Sequence, residues 1–183
     1  DDVLTELGPE GRLTVAVTDR LLPLFQRSYP NVRFGPHATL KSDGRAFRGA
    51  QFIKDWGDID LWAPLGAMLK THRATLGHFP NRPAGYLKSD PARVQHWREA
   101  LSALPGIKVG VLWTSLVIDS SRHLYFAPFD DWREVLQTPG ITFVNLQYGD
   151  QSGAIAHARE AFGVDIHQPV GIDLRNDLDD VAA

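Results

Sequence analysis

Asp90-Pro91-Ala92-Arg93, then Gly106-Ile107, then Lys108-Val109-Gly110-Val111-Leu112-Trp113 and Thr114-Ser115 read in order as a helix start, a turn, an apolar strand and a polar loop. The pattern then begins again. Ile141-Thr142-Phe143-Val144-Asn145-Leu146-Gln147 is a second apolar strand, and it runs into Tyr148-Gly149-Asp150. Two buried strands, each followed by a polar loop and a helix, predict a right-handed β-α-β crossover in a parallel sheet. Ligands of such sheets collect at the carboxyl ends of the strands, which draws attention to the loops after Trp113 and Gln147.

The flanking helices carry their own signals. Asp90 is a good N-cap and Pro91 suits the first helical position, while Val94, Trp97, Leu101 and Leu104 recur at helical spacing. Pro128 with Asp130 and Asp131 repeats the device, for a helix expected to turn Trp132, Val135 and Leu136 inward. Ser152 to Phe162 is a third helix closed by Gly163, Val164–Ile166 a short strand, and Asp177 the cap of a last helix.

Outward from this region, Arg12 to Val17 alternates as a strand, and Thr18 or Asp19 can cap a helix whose Leu21, Leu22, Leu24 and Phe25 form a buried stripe. Pro23 falls within its first turn, where a missing N–H costs little. Tyr29-Pro30-Asn31 ends that helix and Val32-Arg33-Phe34 is a short strand, again a parallel β-α-β start. Residues 35 to 57 predict a loop or a short hairpin, Asp58-Ile59-Asp60-Leu61-Trp62 a strand, and Ala67–Thr71 a short helix. Phe79-Pro80-Asn81-Arg82-Pro83 resists both helix and strand and serves as a linker candidate.

Composition bounds the function. The 183 residues are 43% hydrophobic and 22% charged, as in ordinary globular domains. A net charge of −3, with Lys and Arg scattered, argues against nucleic acid as the partner. The absence of cysteine removes disulfides, thiolate metal sites and cysteine nucleophiles, and fits a reducing, cytoplasmic setting. No stretch approaches the roughly 18 apolar residues of a membrane span. The chain starts at Asp1 and stops at Val181-Ala182-Ala183 as an apolar helical face begins, and we read it as a piece of a longer protein.

Several residues suggest chemistry. Thr114 and Ser115 offer hydroxyls and backbone N–H groups suited to a phosphate, and Arg122 a bidentate clamp on the same oxyanion. The competing reading is a solvated connection with capping hydroxyls, and Asp119, Asp130 and Asp131 add unfavourable charge. In the second loop, Gly149 permits positive φ and close approach, Tyr148 a stacking surface, and Gln147 a polar contact; a turn under an aromatic lid, with Asp150 as N-cap, accounts for them equally. Asp58 and Asp60 alternate about Ile59, which puts both carboxylates on one side of a strand, where one suits a general base toward an acceptor hydroxyl. The seven histidines show no metal-ligand spacing, and no metal site is proposed. The five tryptophans read as core, with Trp56 and Trp62 open to a second role as a sugar-stacking platform.

Tyr86-Leu87-Lys88-Ser89-Asp90-Pro91-Ala92-Arg93-Val94-Gln95-His96-Trp97 followed by Leu104–Trp113 resembles a bacterial family in which tetratricopeptide repeats precede a glycosyltransferase-like domain. Pro139–Gly149, Gly171-Ile172-Asp173-Leu174, Asp179–Ala183 and Asp58–Gly66 extend the likeness, which is nearest to members associated with flagellin modification. The resemblance implies a GT-B architecture like that of O-linked N-acetylglucosamine transferases and heptosyltransferases: two Rossmann-like domains across a cleft, a nucleotide-sugar donor, and a protein or glycan acceptor such as flagellin. The family pattern often has Lys where Thr114 stands.

The expectation is therefore an α/β chain of two Rossmann-like parallel-sheet parts, GT-B-like, with an acceptor-side part at 1–85 and an incomplete donor-side part at 86–183. Donor contacts fall to Thr114, Ser115, Arg122, Gln147, Tyr148 and Gly149. No redox cofactor is implied, since no Gly-x-Gly-x-x-Gly follows a strand. Taken alone, this stretch is expected to be inactive. The loss of the Lys favours an alternative, a non-catalytic scaffold for flagellar assembly.

Overall fold

The computed structural model describes residues 3–8, 12–81, 85–115 and 122–183. It is mixed α/β and divides into two units, Asp1–Ser89 and Asp90–Ala183. In the first, α1 (Val3–Leu7) is followed by β1 (Thr14–Val17), a 3-10 turn, α2 (Leu22–Ser28) and β2 (Arg33–Pro36). β1 and β2 run parallel, Thr14 opposite Arg33 and Val17 opposite Pro36, so the predicted β-α-β start is present. Pro23 sits in the first turn of α2 as expected, and that helix stops where the Ser28 hydroxyl donates to the Leu24 carbonyl at 2.6 Å. Leu4, Val17, Tyr29, Val32 and Phe34 make the core, with Phe25 edge-on to Phe34 at 5.6 Å.

The stretch after β2 resolves into a hairpin, β3 (Ala38–Ser42) antiparallel to β4 (Arg45–Gly49). Its two-residue turn is Asp43-Gly44, with φ of 50° and 73°. Positive φ at both positions is the twist a tight hairpin needs, and Asp-Gly supplies it. One face carries Thr39, Lys41, Ala46 and Arg48, and the other Leu40 and Phe47. α3 (Met68–His72) comes next.

The predicted strand at Asp58–Trp62 is absent. Asp55 accepts the Gly57 N–H at 2.8 Å and starts a 3-10 turn over Trp56–Asp58, closed by Ile59 N–H to Trp56 O at 3.1 Å. Among the described residues no strand lies alongside to pair with Asp60, Leu61 and Trp62, and Leu61 and Trp62 are 90% and 81% exposed. Alternation in the sequence is insufficient without a partner strand. Trp56 is also exposed, so these two tryptophans are not core.

The second unit opens with α4 (Pro91–Ser102), in which the Asp90 carboxylate accepts Ala92 N–H at 2.8 Å and Arg93 N–H at 3.2 Å. β5 (Ile107–Val111) and β6 (Ile141–Asn145) pair in parallel, Ile107 opposite Ile141 and Val111 opposite Asn145. Between them lies α5 (Arg133–Leu136), begun by a 3-10 turn. α6 (Ser152–His157) continues as one π-helical turn to Phe162 and is capped by Gly163, near where the sequence places its end. The chain then returns beside β6: Asn145 N–H donates to His167 O and His167 N–H to Phe143 O, each at 2.8 Å. The expected strand at Val164–Ile166 is thus a single bridge at His167, because Val164 N–H is spent closing the helix on Ala158 O. α7 (Leu178–Val181) is capped by Asp177.

Val111, Trp113, Leu136, Phe143, Ala158, Phe162 and Ile166 form the core of this unit. Burying each of its large side chains contributes roughly 1.5–3 kcal/mol. Phe129 links Trp113 at 5.2 Å to Phe162 at 5.9 Å. Trp132 is half-buried and Leu136 buried as expected, but Val135 is 50% exposed, since so short a helix turns one stripe inward and Leu136 occupies it.

Candidate functional site at the carboxyl edge of the second unit

Three chain segments end at one edge of the second unit: β5 runs on to Thr114 and Ser115, β6 to Gln147, Tyr148 and Gly149, and the segment bridged at His167 to Gln168. Parallel pairing forces this, because every crossover returns the chain to the start of the next strand and leaves each exit on the same side.

Gln147 is the pin of this edge. Its side-chain Oε1 accepts Thr114 N–H at 2.9 Å and Trp113 N–H at 3.2 Å, joining loops more than thirty residues apart. Its backbone N–H donates to Asn145 Oδ1 at 2.8 Å, and Asn145 Nδ2 donates to Gln147 O at 3.3 Å and Gln168 Oε1 at 2.6 Å. Gln147 is 0% exposed and Asn145 1%. Amides so buried are tolerable only when their polar atoms are paired, as these are.

The predicted residues therefore part company. Thr114 and Gln147 are brought together, but Gln147 faces inward and cannot itself touch a ligand. This corrects its expected role. Thr114, Ser115 and Tyr148 are half-buried, and Gly149 is exposed with φ of 85°. The Tyr148 carbonyl accepts Gln147 Nε2 and Gln151 Nε2, both at 3.4 Å, which holds the second loop against the adjoining helix α6. Asp150 accepts Ser152 N–H at 3.0 Å, and its carboxyl is held below its ordinary range by that bond and by the Ser152 hydroxyl. The side chain of Arg122, and Asp119, lie outside the described residues.

Asp58 and Asp60 do not share a strand face. Asp58 closes the 3-10 turn, and Asp60 meets Arg12 at 3.6 Å with both side chains 83% exposed. An exposed pair of that kind contributes little, and nothing among the described residues positions either carboxylate against a second reacting group. Among the described residues no three of His, Asp and Glu gather as metal ligands. A separate cleft of about 480 Å³ in the first unit, lined by Tyr29, Asn31, Tyr86 and Lys88, adjoins the link between α2 and β2, away from the carboxyl ends of those strands.

Reading the sequence missed Asn145 and Gln168. The available signal is a lone Asn inside the apolar run Ile141–Leu146, where a polar side chain requires a partner.

The edge thus carries Thr114, Ser115 and Tyr148, all half-buried, a glycine that allows close approach, and a carboxylate at Asp150. Among the described residues, none of those forming the edge brings a cation.

The chain is 51% identical over all 183 residues to Protein FlbA of Caulobacter vibrioides and spans 30% of that protein's length. No protein-family model matches the chain, and no solved structure matches it. No helix of the described residues is long and apolar enough to cross a membrane.

Proposed function

We propose that this chain belongs to a tetratricopeptide-repeat protein with a GT-B glycosyltransferase-like region, and that its second unit contributes the donor side. In this reading each unit is a Rossmann-like part. The parent protein transfers a sugar from a nucleotide-sugar to a protein or glycan acceptor such as flagellin, in the cytoplasm. The supporting observation is the shared carboxyl edge at which Gln147 ties the Thr114 loop to the β6 loop. That is the rim where parallel α/β sheets bind nucleotides. The family resemblance of Tyr86–Trp113 and Pro139–Gly149 supplies both the donor class and the flagellar side of the reading.

A scaffold without transfer activity is the second reading, and a specific observation favours it. The Thr114 N–H that would face a diphosphate is already taken by Gln147 Oε1, and Thr114 brings no charge. Calorimetric titration with UDP, UDP-N-acetylglucosamine and a CMP-sugar separates the two. Saturable binding that depends on the sugar is expected for the donor site; no heat with any of the three, for this chain and for a longer one carrying the preceding repeats, rejects it.

A further inference from the structure

We infer that Gln168 and Asn145 are positioning residues for the Thr114 loop, acting through a one-way relay of buried amides; the inference rests on the reading of this edge as the ligand-binding rim. Gln168 touches neither Thr114 nor Trp113 in the hydrogen-bond pattern. Its influence runs through Asn145 and Gln147.

Donor and acceptor chemistry fixes the direction of every link. Trp113 and Thr114 present two backbone N–H groups, which only the oxygen of the Gln147 amide can accept, so its NH2 must face the other way, toward Tyr148 O. Gln147 N–H likewise requires the oxygen of Asn145, which sends the Asn145 NH2 toward Gln147 O and Gln168 Oε1. Rotating any one amide by 180° would set donor against donor at one end and acceptor against acceptor at the other. The relay thus has one satisfied arrangement, and at its centre, with exposure of 0% and 1%, water cannot rescue a broken one. The loop after β5 is held in place from the exit of a segment more than fifty residues further along the chain.

Gln168 is the end at which to test this, because the residue is exposed and its replacement leaves the core intact. Gln168→Leu removes the acceptor facing Asn145 Nδ2, while Gln168→Glu keeps an oxygen there. Amide hydrogen exchange by NMR reads the remote end without any ligand. In Gln168→Leu the Thr114 and Trp113 amides are expected to exchange about fivefold faster, the factor that loss of roughly one neutral hydrogen bond brings. The Leu146 amide, bonded to Val111 O at 3.0 Å in the sheet, should be unchanged, and Gln168→Glu should behave like the parent. Unchanged exchange at Thr114 in Gln168→Leu overturns the relay, as does equal acceleration at Leu146, which would signify general loosening. UDP titration of the same variants is the second arm: weaker binding in Gln168→Leu alone is expected. If no variant and no parent binds UDP, the donor reading fails while the exchange result still decides the relay. If the exchange responds and parent and Gln168→Leu bind UDP equally, the positioning role is refuted.

Discussion

The guanidinium of Arg73, its side chain 2% exposed, holds the Glu6 carboxylate at 2.6 Å and so ties the chain after α3 to α1. Arg73 also donates to His72 O at 2.7 Å and lies over the Phe79 ring, while His72 Nδ1 reaches the other Glu6 oxygen at 3.2 Å. Burying a guanidinium is tolerable only with such compensation. The Arg73 hydrogen bond is the main reason that Glu6 titrates below its ordinary value of 4.5.

That shift has a definite sign in stability. A carboxylate whose folded pKa is lowered binds fewer protons in the native state, so its contribution is present above the unfolded value and fades as pH falls through the folded one. The melting temperature of the parent chain is expected to decline as pH is taken below about 4.5. Glu6→Gln should start lower at pH 7 and lose less over that acid range, as followed by circular dichroism. Parallel pH profiles would show that Glu6 carries no folding linkage.

Removing the pin at the carboxyl edge has a larger cost. Gln147→Met preserves volume but leaves two backbone N–H groups facing a thioether, with Thr114 and Trp113 losing their acceptor. An unsatisfied buried donor costs about 1–3 kcal/mol, so a loss of roughly 2–4 kcal/mol is expected from the urea midpoint. Gln147→Glu is no conservative control here: it retains an oxygen for both donors but sets its second oxygen against Tyr148 O at a buried position, so it too should lower the midpoint.

Two glycines with nearly the same backbone test the entry to the parallel pair. Gly106 (φ 63°) has Gly140 O only 2.2 Å from where a Cβ would stand, because Ile107 N–H bonds that carbonyl at 2.9 Å where the strands begin. Gly140 (φ 77°) has nothing within 4 Å. Gly140→Ala should therefore cost about 1–2 kcal/mol for left-handed backbone alone. Gly106→Ala adds a backbone clash that cannot relax without parting the strands, and a total nearer 3–4 kcal/mol is expected by chemical denaturation. Equal losses would show that the close approach is not maintained.

Legibility in the sequence depends on how local each determinant is. α4 is readable because Asp90, Pro91 and the spacing of Val94, Trp97 and Leu101 act within one helix. The apolar runs of β5 and β6 announce parallel strands, and the crossover between them leaves little freedom in topology. The expected burial is met by β6 alone: β5 buries only Val111 and leaves Ile107 69% exposed. The hairpin at Ala38–Gly49 is ambiguous in the sequence, although Asp43-Gly44 carries its turn. Asp58–Trp62 misleads because alternation does not state whether a partner strand exists. Gln147 misleads for a related reason: a polar residue at a carboxyl end looks like a ligand contact, and only the pairing of β5 with β6 turns it toward Trp113 and Thr114. The role of the three aspartates near the end is half legible. Asp177 caps α7 as expected, through Asp180 N–H at 3.0 Å, while Arg93 of α4 also reaches Asp177 at 2.9 Å and Asp180 at 3.2 Å.

The cation that the resembled family often carries at position 114 gives a direct test of why none of the described residues at this edge brings one. Thr114 is half-buried at the rim, and its backbone is fixed by Gln147, so a longer side chain there projects from a settled loop. Thr114→Lys places an ammonium where a diphosphate would lie in the donor reading. One charge-assisted hydrogen bond is worth about 1.5–3 kcal/mol, so UDP affinity is expected to rise roughly tenfold or more in low salt. The gain should shrink as ionic strength approaches about 1 M, where screening reaches about 3 Å. Gain of UDP binding by Thr114→Lys, with none in the parent, would mean that the edge has kept the shape of a donor site and lost its charge. If UDP binding stays absent and the melting temperature is unchanged, the edge is a packed end of the sheet, and the scaffold reading stands.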